Sequence, residues 1–255
     1  NNLSIKNNKI LFDKGLIEFN NSIFDIDFSL IINDSEIPIN IKGKIPINTS
    51  FDLDLRFIGN GKFIDLIDIF ADEYFTFIAG EANLRMIIKG TTNKPILNGF
   101  VVLKDSEIDF YNNIIKDINS LIIFDFDSLE IKNLEANSEG SGNIFIKGSL
   151  PFYSKNDSEK VEINLIPDLT FCKLERGEYQ KKDLKKVIDQ SIITDHAVEE
   201  YKEHLLHKPA IAFCAEKFTL KTDNSNFLID SDIDLSGSFE NPVLGGDLSL
   251  NNGYI

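Results

Sequence analysis

Apolar and polar residues alternate along most of this chain with a period of two. Phe24, Ile26, Phe28, Leu30 and Ile32 alternate with Asp25, Asp27 and Ser29, and Phe51, Leu53, Leu55 and Phe57 alternate with Asp52, Asp54 and Arg56. The same comb returns at Ile37-Ile39-Ile41, Ile122-Phe124-Phe126, Ile144-Ile146 and Ile229-Ile233-Leu235. Successive side chains of a strand point to opposite sheet faces, so each segment predicts one oily face and one wet, mostly acidic face. Breaks containing Asn, Gly or Pro separate the combs at short intervals, which favours antiparallel hairpins over crossover helices. Two stretches depart from the pattern. Phe63, Leu66, Ile67 and Phe70 fall at helical spacing, predicting a short helix over 63–72. A second, longer departure follows Phe171.

The chain repeats itself. Ile39, Ile41, Lys42, Gly43, Ile45, Pro46 and Ile47 match Ile144, Ile146, Lys147, Gly148, Leu150, Pro151 and Phe152 at a constant offset of 105. Gly90, Pro95, Leu97, Gly99, Leu103 and Ile108 match Gly237, Pro242, Leu244, Gly246, Leu250 and Ile255 at an offset of 147. The offsets differ by 147 − 105 = 42, so the second copy holds that much extra chain between Pro151 and Gly237. Composition places it. Residues 172–217 contain both cysteines, Cys172 and Cys214, and all three histidines, and their nine basic residues balance nine acidic ones. The stretch from Lys181 to Leu206 is charge-rich and helical in character. The expected organisation is therefore β repeats over 1–171, an α-rich insertion over 172–217 and resumption of the repeat over 218–255.

Charge narrows the function. Lys and Arg number 26 against 41 Asp and Glu, a net charge of −15, which disfavours nucleic acid and anionic membrane surfaces as partners. No apolar run approaches ~18 residues, and no basic-then-apolar segment opens the chain. Two cysteines are too few for a disulfide framework, and with a separation of 42 they lack the close pairing of a structural zinc site. His204 and His207 form the one close His pair and read as solvated helix residues. Asp25/Asp27, Asp125/Asp127 and Asp230/Asp232/Asp234 stand at i, i+2, where alternation already demands polar residues. No catalysis, cofactor or metal is expected.

The run Gly90-Thr-Thr-Asn-Lys-Pro95-Ile-Leu-Asn-Gly99-Phe-Val-Val-Leu103 resembles the G-x-x-x-x-P-x-x-x-G-x-x-x-L unit of TamB-like proteins, within the wider AsmA-like group. Leu121 to Phe126, Leu129 to Ala136 and Gly140 to Gly148 follow in that family's order, and Gly237 to Ile255 restarts the unit. The resemblance covers roughly 20–170 and 218–255. It implies an all-β, elongated antiparallel repeat sheet folded into an open hydrophobic groove. It further implies a periplasmic bridge that carries phospholipid acyl chains between inner and outer membranes and works with an outer-membrane β-barrel of the assembly-module type, the full-length protein being anchored in the inner membrane by a segment not among these residues. Acyl chains would lie against Phe24, Ile26, Phe28, Leu30, Phe51, Leu53, Leu55, Phe57, Ile122, Phe124, Phe126, Ile144, Ile146, Ile233 and Leu235. Residues 177–215 separately resemble the connector and first strand of the second lobe of phage-type DEAD/DEAH helicases, but no G-x-x-x-x-G-K-[ST] loop accompanies them to hold phosphate. The rival reading from alternation alone is an extracellular β-sandwich or solenoid adhesin that holds no lipid.

Overall fold

A computed structural model describes residues 2–5, 8–32, 38–48, 52–60, 75–138, 142–153, 172, 210–222 and 225–254. Almost all of these lie in thirteen strands: β1 (Asn2–Ile5), β2 (Asn8–Asn20), β3 (Ile23–Ile32), β4 (Ile39–Pro46), β5 (Leu53–Asn60), β6 (Phe75–Gly90), β7 (Pro95–Phe110), β8 (Asn113–Phe126), β9 (Ser128–Ser138), β10 (Gly142–Pro151), β11 (Ala210–Thr222), β12 (Ser225–Gly237) and β13 (Pro242–Tyr254). They form one antiparallel sheet in strict chain order, with β1 and β13 as its edges. The all-β, antiparallel expectation holds. The helix expected over 63–72, Phe51, and residues 173–209 of the expected insertion lie outside the described residues. Residues 210–217, grouped with the insertion by composition, are the first part of β11.

The turns follow from local chemistry. Asn21-Ser22 and Tyr111-Asn112 each place two residues at positive φ, between 49° and 62°, the two-residue hairpin geometry whose twist matches the flanking strands. Gly90 and Gly237, at φ 79° and 86°, end β6 and β12 opposite Pro95 and Pro242. Proline has no amide hydrogen to give a ladder, so it opens the following strand.

The internal repeat is visible as register. Ile17 pairs with Ile26 and Ile26 with Gly43 in β2–β4. Ile122 pairs with Ile131 and Ile131 with Gly148 in β8–β10, each 105 residues on. The amide of Ile47 donates to the Ser22 carbonyl at 2.9 Å, and the amide of Phe152 donates to the Asp127 carbonyl at 2.7 Å, again 105 apart. In the later strands, Met86 pairs with Gly99 as Ile233 pairs with Gly246. The sheet is thus two six-strand modules, β2–β7 and β8–β13. The extra chain of the second module lies in the β10–β11 connection, residues 152–209, which replaces the short β4–β5 link. Part of that excess is offset, because residues 61–74 of the first module correspond to the two-residue β11–β12 link.

Four glycines mark equivalent points of this lattice. Gly43, Gly99, Gly148 and Gly246 all have positive φ, from 117° to 157°. A Cβ built on any of them would sit 1.8–2.1 Å from a carbonyl oxygen of the adjacent strand. Only glycine lets the two backbones approach this closely.

Candidate lipid-binding face

Register places the predicted apolar residues on one face of the sheet. The row Phe28, Ile41, Phe57, Met86 crosses β3 to β6 by consecutive pairing, and Ile146, Phe213, Ile233 crosses β10 to β12. Of the predicted set, Ile26, Leu30, Leu55 and Ile144 are buried, and Phe28, Leu53, Phe57, Ile122, Phe124, Ile146, Ile233 and Leu235 are half-buried. Phe24 and Phe126 remain exposed.

The face curls. Ile10, Leu30, Ile39, Phe77 and Leu84, from β2, β3, β4 and β6, share one cluster with Phe28, Phe57 and Val101 packed against it. A second cluster joins Ile118, Ala136 and Ile144 to side chains of β7 and β11. Asn113 at the head of β8 shows how tight the curl is. Its Nδ2 donates to the carbonyls of Tyr111 (2.7 Å) and Lys221 (3.3 Å), and its Oδ1 accepts the Lys221 amide at 2.6 Å. β8 and β11 are three strands apart, about 14 Å in a flat sheet. The buried primary amide therefore stands in for a ladder partner and ties the curl together. Ser138 of β9 adds a second tie, its Oγ accepting the Thr219 amide at 3.4 Å.

Within this curl lies a cavity of about 350 Å³ lined only by apolar side chains. Ile144 and Ile146 belong to its wall, joined by Leu103, Ile118, Phe213 and Phe218. Sequence alternation missed the last four because β-bulges break the period. Leu103 and Ile108 are five residues apart, as are Phe213 and Phe218, yet each pair faces the same cavity. An odd spacing on one face requires an extra residue, and the ladder shifts between Leu103/Ser106, Lys116/Asn119 and Ala215/Phe218. Asp105, Asp117 and Lys217 sit in these shifts with φ of 46°, 53° and 51°. Asn119 Oδ1 accepts the Asp105 amide at 3.2 Å, and Asp230 Oδ1 accepts the Lys217 amide at 2.7 Å.

Away from the cavity the same face stays open. Ile17, Phe19, Leu244, Leu248 and Leu250 point inward by register yet are 56–71% exposed. At the opposite ends of the strands, Phe152 stacks between Phe124 (ring centroids 6.4 Å apart) and Phe239 (5.6 Å).

The outer face carries the acidic combs. Asp27 is held by Lys14 Nζ at 2.6 Å and Lys42 Nζ at 3.1 Å. The hydrogen bond from Lys14, then that from Lys42, lowers its pKa below the ordinary carboxylate value. Asp230 also accepts from Asn251 Nδ2 at 2.6 Å. The expectation of a mostly acidic outer face fails over β5–β7, where Ile58, Ile87, Ile96 and Phe100 are exposed between charged neighbours. It fails differently on β10–β11. There Cys172 and Cys214 form a disulfide (Cα–Cα 5.5 Å), packed with Ala212 and Phe145. Cys214 pairs with Phe145 while its neighbour Phe213 pairs with Ile146, so the bridge lies on the face opposite the cavity. The run Ala210-Ile-Ala-Phe-Cys-Ala215 is apolar on both faces for this reason.

Comparison of the chain with family models, with curated proteins and with solved structures finds no match.

Proposed function

We propose that this chain is part of a periplasmic bridge that carries phospholipid between inner and outer membranes, with acyl chains held in a groove formed by the curled apolar face. The observation that carries the reading is the 350 Å³ cavity with an all-apolar wall, set in a face whose apolar side chains stay exposed elsewhere. A polar ligand would leave its hydrogen-bonding groups unpaired in such a wall, at a cost of several kcal/mol, on the order of 2–7 per group. An alkyl chain has no such groups. Each methylene withdrawn from water contributes about 0.8 kcal/mol. Ten of them supply roughly 8 kcal/mol before the costs of ordering. The headgroup stays in water, so the face needs no headgroup site.

One further feature supports the reading over a sandwich adhesin, and a second fits the compartment without separating the two. The described strands form a single sheet rather than two packed layers, and a sandwich needs the second layer to cover its apolar face. The Cys172–Cys214 bridge suits an oxidising compartment such as the periplasm. The proposed partner at the outer membrane is a β-barrel of the assembly-module type, and chemistry on the lipid is not part of the proposal.

Photo-crosslinking side chains at Phe28, Phe57, Phe124 and Phe213 in cells test it. The expected result is covalent capture of glycerophospholipid at these positions, and none at outer-face Lys132. Folded protein that captures lipid at none of the four would overturn the proposal.

A further inference from the structure

We propose that the outer face of β5–β7 docks an acidic amphipathic helix of a partner protein. The site lies on the side of the sheet away from the cavity and does not depend on lipid binding. Ladder pairing puts Ile58, Arg85 and Phe100 in one row across the three strands, Arg56, Ile87 and Asn98 in the next, and Asp54, Lys89 and Ile96 in a third. Ile58, Ile87 and Ile96 therefore run diagonally over the surface, each one strand and two residues from the last, about 8 Å per step. They are 45%, 38% and 42% exposed, and Phe100 beside them is 36% exposed. Arg56 and Lys89 border this stripe on one side and Arg85 on the other, all three exposed.

The block is basic in an acidic chain. Lys42 and Lys44 of β4 extend its second and third rows. With them it holds five cations against one carboxylate, Asp54, while the chain as a whole carries −15. Lys42 is engaged by Asp27 at 3.1 Å. Among the described residues Lys44, Arg56, Arg85 and Lys89 make no ion pair. At physiological ionic strength the screening length is about 8 Å. An approaching group therefore senses these four cations before the net charge of the molecule.

The sheet itself does not call for such a surface. In the second module, 147 residues on, Asp232, Asp234 and Asp247 take the places of Arg85, Ile87 and Phe100. By the same pairing, Ala212 and Cys214 take the places of Arg56 and Ile58. There the surface is also covered: Ala212, Cys214 and Asp232 are buried, and Cys172 is bonded to Cys214. The first module presents the equivalent patch bare, apolar and cationic.

β5, β6 and β7 are paired along both edges, so an occupant lies on the face and adds no strand. A helix with one apolar stripe edged by Asp and Glu matches both the diagonal and its cationic borders. The diagonal, about 17 Å, is the length of roughly eleven helical residues, or three turns. An anionic bilayer would also press against exposed Asp25 and Asp125, which flank the block on β3 and β8, and a narrow helix avoids them. So small a footprint belongs to a transient contact.

Fluorescence anisotropy with two labelled helical peptides on the purified chain, at about 0.15 M salt, tests this. One peptide has a Leu stripe edged by Glu, and its twin has the same stripe edged by Gln. Arg85→Asp with Ile87→Asp and Phe100→Asp installs the residues of the second module, and Ile87→Ser with Phe100→Ser leaves the charge unchanged. The Glu peptide should bind saturably and at least about fivefold tighter than its twin. The triple variant should weaken it at least about tenfold and the double variant at least about threefold. Both variants change only the outer face, so their effect separates this site from the groove. No saturable binding of the Glu peptide, equal binding of the twins, or undiminished binding by either variant with its β-sheet circular dichroism intact would each overturn the proposal. Capture of phosphatidylglycerol vesicles that the triple variant abolishes would overturn it as well, by assigning the surface to a membrane.

Discussion

Glycine at position 148 is required by contact and not by flexibility. A methyl there would sit 2.0 Å from the Ala210 carbonyl oxygen, at φ 132°, whereas one on Gly245 would meet nothing within 4 Å. Gly148→Ala should therefore cost at least about 2 kcal/mol in chemical denaturation, with Gly245→Ala close to neutral. Ser120 and Ser231 lie at the other extreme. Both are buried on the inward face and their Oγ atoms have no hydrogen-bond partner. Replacing an unpaired hydroxyl with a methyl-sized group removes a desolvation cost, so Ser120→Ala and Ser231→Ala should leave stability unchanged or raise it by up to about 1 kcal/mol. Asp27 gives a pH signature. Its pKa is lowered by Lys14 and Lys42, so what stability it adds is present above the unfolded-state value of about 3.9 and is lost as pH falls through the folded value. Because the group is exposed, its own titration is the sensitive readout. NMR should place the Asp27 midpoint below the ordinary carboxylate value, and Lys14→Met should move it upward.

At the scale of strands, the straight parts of the sheet are legible and the bent parts are not. Phe24 to Ile32 shows its inward face by alternation alone, because an unbroken strand keeps a period of two. Leu103 and Ile108, or Phe213 and Phe218, belong to one face only because a bulge inserts a residue between them. Nothing in the residue types at Asp105 or Lys217 announces that insertion. The cavity was hidden for this reason, since it is built where the bulges curl the sheet. The repeat was legible because its glycines and prolines are fixed by backbone contact, which tolerates no substitute. The disulfide was not, because a spacing of 42 carries no geometry until β10 and β11 are known to be neighbours. Its both-faced apolar run around Cys214 was the available signal. By the chain-entropy relation, closing that 42-residue separation restrains the unfolded chain by about 4 kcal/mol. Cys172→Ser with Cys214→Ser should lower unfolding free energy by up to that amount, and added reductant should then have no further effect.

At the scale of the molecule, the thirteen strands among the described residues run in chain order and give a sheet that grows by addition, one module repeating the register of the last. Such a sheet buries its apolar face only where it curls, and here the curl is tightest from β7 to β11. The cavity is a consequence of the bulges. A net charge of −15 opposes self-association of so apolar a surface. The central claim is that fatty chains occupy the inward face. Its most direct measurement is organic extraction and mass spectrometry of the folded chain purified from the periplasm of a diderm host without detergent. Two-chain glycerophospholipid should be recovered in amounts comparable to the protein. Folded protein carrying no lipid after such a preparation would contradict the account.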